Sequence, residues 1–133
     1  MKKGYKDNIE KLTIQNQSFR KVLYTAKNIQ LVLMSLLPGE DIGLEVHHEN
    51  DQFFRFEAGE GRVFIDGTSY DVADGDVVIV PAGSEHNVIN MSDSERLSFY
   101  TIYSPSHHKD GIERITKEDA MRNEEDFDGV TTE

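Results

Sequence analysis

Between Phe19 and Tyr103 the apolar positions come in short runs of β-branched, aromatic and aliphatic residues, separated by turn formers and without a fixed-period repeat. The runs predict strands at Lys21–Tyr24, Leu31–Leu37, Ile42–His47, Gln52–Ala58, Arg62–Ile65, Thr68–Val72, Val77–Val80, His86–Asn90 and Leu97–Tyr103. Asp66-Gly67 joins two of them as a two-residue hairpin turn, which requires positive φ at both central positions. No helical period in this stretch is long enough to cover a sheet face, so the strands must bury their apolar sides against one another. The expected fold is all-β, a sandwich or closed barrel. Beyond Tyr103 the pattern changes: Thr116-Lys117-Glu118-Asp119 fits a capping-box start, and Lys117–Glu125 is expected to form one short helix. The last segment, Lys117–Glu133, holds seven acidic and two basic residues, a composition expected of a solvated tail.

Composition narrows the partners. The chain has 133 residues, the size of one domain, with 25 acidic and 14 basic side chains and a formal net charge of −11. A field of that sign repels phosphate backbones and anionic lipid surfaces, so neither nucleic acid nor membrane is an expected partner. There is no cysteine, which excludes disulfides, thiolate metal sites and Cys nucleophiles. The basic start lacks a secretory apolar core and no apolar run reaches the ~20 residues of a membrane span, so a soluble, cytoplasmic protein is expected.

The candidate chemistry sits on alternating strand positions. Glu45 and His47 are two apart and should share a face; Gln52 begins the next run; His86 follows the Pro81-Ala82-Gly83 turn and should share its face with Val88 and Asn90. Ionisable groups inside an apolar barrel are costly unless they pair or bind a cation. Two imidazoles, one carboxylate and a weak amide would suit a divalent transition metal with open positions. The plainer alternative puts Glu45 and His47 on an exposed face and makes His86 a hydrogen-bonded core histidine. Tyr100 and Tyr103 point to opposite strand faces, so at most one reaches the interior, where packing is its expected role. His107-His108 and His48 are expected in exposed loops, since adjacent residues of an extended segment point apart. Arg55, Arg62 and Arg96 are cations without a recognisable phosphate motif.

The chain resembles the cupin superfamily, small double-stranded β-helix (jelly-roll) barrels with two signature motifs. Gly75, Pro81, Gly83, His86 and Asn90 fill every defined position of the second, G-x5-P-x-G-x2-H-x3-N. In the first, G-x5-H-x-H-x3,4-E-x6-G, Gly39, His47 and Gly59 fit, while Glu45 replaces the first His and Gln52 the Glu. The resemblance implies an N-terminal segment with an edge strand over residues 1–30, a barrel over 31–103 and a C-terminal extension over 104–133. It further implies a divalent transition metal (manganese, iron, nickel, zinc or copper) held by Glu45, His47, Gln52 and His86. The Glu-x-His and Gln pattern is similar to that of single-domain cupins labelled mannose-6-phosphate isomerase-like, a label that rests on fold analogy. The implied function is isomerase-like or oxygenase-like chemistry on a small organic molecule. The alternatives are a non-catalytic binder of a sugar or metabolite, and an interaction protein, such as a homodimer paired across an exposed edge in the Lys21–Leu37 region.

Overall fold

The computed structural model describes residues 1–133. Ten strands form two antiparallel sheets: β1 (Arg20–Thr25), β2 (Gln30–Leu36), β3 (Glu45–Val46), β4 (Asp51–Ala58), β5 (Glu60–Ile65), β6 (Thr68–Ala73), β7 (Val77–Val80), β8 (Glu85–Asn90), β9 (Leu97–Ser104) and β10 (Glu113–Arg114). One sheet runs β10-β1-β2-β9-β4-β7 and the other β3-β8-β5-β6. The alternation read from the sequence is what closes the roll. Gln52, Phe54 and Phe56 of β4, His86, Val88 and Asn90 of β8, and Leu97, Phe99, Thr101 and Tyr103 of β9 all bury their side chains. Register sorts this interior along its length: Phe56 lies opposite Phe99, Phe54 opposite Thr101 and Gln52 opposite Tyr103. The aromatic cluster of Phe54, Phe56 and Phe99 fills one end, and the polar inward residues collect at the other.

The turn chemistry follows the expected pattern. Asp66 and Gly67 have φ of 45° and 85°, the left-handed pair of the hairpin. The motif residue Asn90 is structural: its buried amide donates to the carbonyls of Leu36, Leu37 and Glu95, closing a corner whose carbonyls would otherwise be stranded.

Four expectations need correction. The strand expected at Ile42–His47 contracts to Glu45–Val46, because Gly43, at φ 95°, turns the chain after an isolated Asp41–Ile89 bridge. A helix the apolar pattern missed, α1 (Ile9–Gln15), caps on Asn8 and packs against β2, β4 and β9. α2 (Lys117–Arg122) does start at Thr116, whose hydroxyl accepts from the Asp119 N–H, but it stops before Glu125. The acidic tail is mostly exposed, as its composition leads one to expect, and it is also tethered. Glu125 pairs with Lys109 and Arg114, and the Glu133 carboxylate accepts hydrogen bonds from the Lys3 and Gly4 N–H groups and the Tyr24 hydroxyl. Nor is the Lys21–Leu37 region an exposed edge, since β2 lies between β1 and β9, and the outer side of β1 is paired by β10 and by Thr132.

Candidate metal centre

At the polar end of the barrel, β3 and β8 bring the two motifs together: Glu45 stands directly opposite His86. The Gly83 N–H donates to the His47 carbonyl at 2.8 Å, which fixes the turn of one motif onto the strand end of the other. The ligating atoms of Glu45, His47 and His86 all lie within 4.8 Å of one another, and the His47 and His86 rings are 5.3 Å apart.

His86 carries the clearest chemical information. Its Nδ1 lies 3.0 Å from the Ser84 carbonyl, an acceptor only, so Nδ1 bears the proton. The lone pair is then on Nε2, which is buried without a partner. Metal-binding histidines have this arrangement, with one ring nitrogen tied to a backbone carbonyl and the other free to ligate. Burial holds the His86 pKa below the ordinary imidazole value, which keeps the ring neutral. Gln52 shows the same division: its Nε2 donates to the Thr101 hydroxyl at 2.9 Å, while its buried Oε1 has no partner. Glu45 and His47 meet each other, Oε2 to Nε2 at 3.0 Å. Desolvation is the largest influence on Glu45 and raises its pKa, but the His47 hydrogen bond and the electrostatic influence of the neighbouring basic side chains, Arg20 among them, outweigh it, so the carboxyl stays ionised. One orphaned imidazole nitrogen, a carboxylate and a second imidazole, all within 4.8 Å of one another, thus fit a divalent cation.

Three features of the surroundings were not read from the sequence. His107 and His108 do not sit in an exposed loop. The His107 ring lies 4.3 Å from that of His47 and stacks on Tyr103 at 5.1 Å. His108 is buried, with Nε2 3.2 Å from the Tyr103 hydroxyl. The organiser is Gln30, a fully buried amide on β2 that accepts from the His107 and His108 N–H groups and donates to the His108 carbonyl. A glutamine in the midst of apolar Ile29 and Leu31–Met34 was the available signal, because a buried amide needs partners from some other segment. Burial, reinforced by the charge of His47, lowers the His107 pKa to about 4. Tyr103, not Tyr100, reaches the interior, and its ring meets the edge of His47 at 5.6 Å. The third feature is Arg20, one residue before the expected first strand, which lines a cavity of about 270 Å³ together with Glu45, His47, His107, His108 and Asp126. His48 is exposed, as expected. The three arginines singled out from the sequence are engaged elsewhere: Arg55 with Glu57, Arg62 with Asp71, and Arg96 with the Gln17 carbonyl and Ser35.

The sequence profile of the family described as Cupin domain matches residues 32–103. This chain is a cupin. It is similar to YrkC, an uncharacterised protein of Bacillus subtilis (strain 168), with 46% identity over 125 residues, 89% of this cupin and 66% of YrkC. An uncharacterised protein of Acanthamoeba polyphaga mimivirus is 40% identical over 111 residues, 80% of this cupin and 69% of that protein. This cupin therefore spans about two thirds of the length of these two relatives. Among solved structures, BH2720 of Bacillus halodurans superposes with a TM-score of 0.87 at 39% identity, covering 90% of this cupin and 94% of that chain. An RmlC-like cupin from Shewanella frigidimarina, at 21% identity and a TM-score of 0.60 over 65% of this cupin and 75% of that chain, shares the fold. No helix is long and apolar enough to cross a membrane.

Proposed function

We propose that this cupin holds a divalent transition metal through Glu45, His47, His86 and Gln52 and acts on a small organic molecule that enters the adjoining cavity. The observation that carries the reading is the His86 ring, whose Nε2 is buried, unprotonated and partnerless within reach of Glu45 and His47. The metal is one of manganese, iron, nickel, zinc or copper. When bound, it supplies Lewis acidity toward a carbonyl or enolate oxygen, the requirement of isomerase-like chemistry; iron would extend this to oxygenase-like chemistry. The protein supplies the rest. Phe54, with its ring 6.3 Å from His86, closes the apolar side of the centre, and the neutral His107 stands beside His47 where a proton acceptor is useful. A sugar phosphate is disfavoured, because Arg55, Arg62 and Arg96 are committed away from the site and Arg20, the one remaining cation on the cavity, shares it with the carboxylates of Glu45, Glu124 and Asp126.

Adding each candidate ion to chelator-treated protein tests the reading. At an ion concentration about 100-fold above Kd the fold gains about 2.7 kcal/mol, seen as a rise of several degrees in the melting temperature. No rise with any of the five ions would refute it. Gln52→Glu, which restores the carboxylate of the family motif, should tighten metal binding by about tenfold or more. The metal-free variant should lose ~1–3 kcal/mol in denaturant unfolding, because a carboxylate would then be buried beside Thr101.

One observation favours the second reading, a non-catalytic binder of a sugar or metabolite. Glu45 and His47 satisfy each other at 3.0 Å without an ion. Metal-dependent product formation would count against it.

A further inference from the structure

Arg20 brings to the cavity an orphaned donor that the metal reading does not use. It opens β1 on the inward face that it shares with the buried Val22, opposite the buried Met34 of β2. Its Nε is buried and has no acceptor. No carboxylate lies within ion-pair distance of its guanidinium, although Glu45 lines the same cavity. The ring of Phe19 lies 5.4 Å from the guanidinium carbon. A buried donor left without an acceptor lowers stability, and such an orphan calls for an explanation in a missing partner.

We propose that Arg20 binds the carboxylate of a small organic acid whose other end reaches the Glu45–His47 edge of the same cavity. This deepens the preceding reading and rests on it for the role of the second end. A guanidinium presents parallel N–H donors that match a carboxylate two to one, and the orphaned Nε–H is one of the donors such a pair uses. Size agrees. The cavity of about 270 Å³ lies at the small end of the ~300–1,000 Å³ range of ligand pockets, room for a short-chain acid. Charge selects carboxylate over phosphate. One guanidinium balances one negative charge, while Glu124 and Asp126 on the cavity rim repel a second; Glu125 is already neutralised by Lys109 and Arg114. Of the six lining residues other than Arg20 and the acidic groups, three are imidazoles (His47, His107 and His108), which hydrogen-bond to hydroxyl or oxo oxygens without adding charge. A hydroxy or oxo acid matches this lining.

Binding of lactate, pyruvate and 3-hydroxybutyrate, each beside its amide, and of inorganic phosphate is to be measured by calorimetry on the full chain, metal-loaded and chelator-treated. At least one acid should bind about tenfold or more tighter than its amide, the scale of one charge-assisted pair. Arg20→Met should erase that preference with metal content unchanged, and Arg20→Lys should keep part of it. Without ligand, Arg20→Met should melt at or above the wild-type temperature, because it removes a buried donor that has no acceptor and keeps the apolar stem. The proposal is overturned if no acid is preferred over its amide, if phosphate outcompetes every acid, or if the preference survives in Arg20→Met. Melting of ligand-free Arg20→Met well below the wild type would also overturn it, by giving Arg20 a purely structural role. Failure of metal binding with the acid preference intact would remove the metal reading alone.

Discussion

Alanine at both His47 and His86 should leave a folded barrel that no longer retains metal after desalting, with affinity reduced by at least ~100-fold. The magnitude follows from what each ring contributes. Changes to groups that merely orient a ligand cost 10–100-fold, whereas here two of the four donors are deleted. What remains, Glu45 and the Gln52 amide, is a carboxylate and a weak neutral oxygen, a poor match for a transition metal. Metal analysis of the double variant and of His47→Ala alone checks this. The single variant controls for folding, since His47 sits at the barrel mouth, whereas His86 is 1% exposed and its loss opens a void beside Phe54. Retained stoichiometry in the double variant would move the metal elsewhere or dispense with it. The pH profile adds an independent check with a definite sign. Protons compete with a metal for imidazole lone pairs. Burial lowers the His86 pKa, so proton competition at this ring begins at lower pH than at a free imidazole, and binding should persist into mildly acidic solution.

The parts legible in the sequence were those governed by strict local rules. Alternation along β8 put His86, Val88 and Asn90 on one face, and the Asp66-Gly67 turn set one hairpin register. Period two likewise put Glu45 and His47 on one face but left open whether that face turns inward; the cupin motifs favoured the inward alternative, and the pairing of β3 with β8 sets Glu45 opposite His86. What escaped depended on contacts between distant segments. α1 has only seven residues, too few for its periodicity to outweigh the polar composition around it. The extended geometry assumed for His107-His108 fails because Gln30, 77 and 78 positions earlier, holds that loop by three hydrogen bonds. Arg20 escaped because charge at a strand start reads as solvated; only the burial of its Nε shows otherwise. The tethering of the acidic tail escaped for the converse reason, since its counter-charges and donors (Lys109, Arg114 and the Lys3 and Gly4 N–H groups) lie on other segments.

Gly59→Ala should destabilise the fold by about 3 kcal/mol or more, while the same substitution at Gly75 should cost only ~1–2 kcal/mol. The two glycines form a matched pair, Gly59 closing the first cupin-motif frame and Gly75 opening the second. Their φ values, 94° and 92°, are nearly the same, so the backbone penalty imposed by a Cβ is common to both. Their surroundings differ. A Cβ on Gly75 meets nothing within 4 Å, whereas one on Gly59 would lie 2.4 Å from the Arg96 carbonyl oxygen and 3.0 Å from the Leu97 Cα. Those are backbone atoms at the entry to β9, and they cannot rotate away. Relief requires moving the start of the strand whose Leu97, Phe99 and Tyr103 fill the interior, so the cost includes lost packing as well as strain. Urea unfolding of the two variants measures the difference directly, because the shared φ term cancels between them. Equal losses would mean that the close approach of β9 to Gly59 is not what demands glycine at this motif position, and that left-handed geometry alone does. A loss at Gly59 that carries over into weaker metal binding would show the reach of that contact, since β9 leads directly to Tyr103 against the His47 ring.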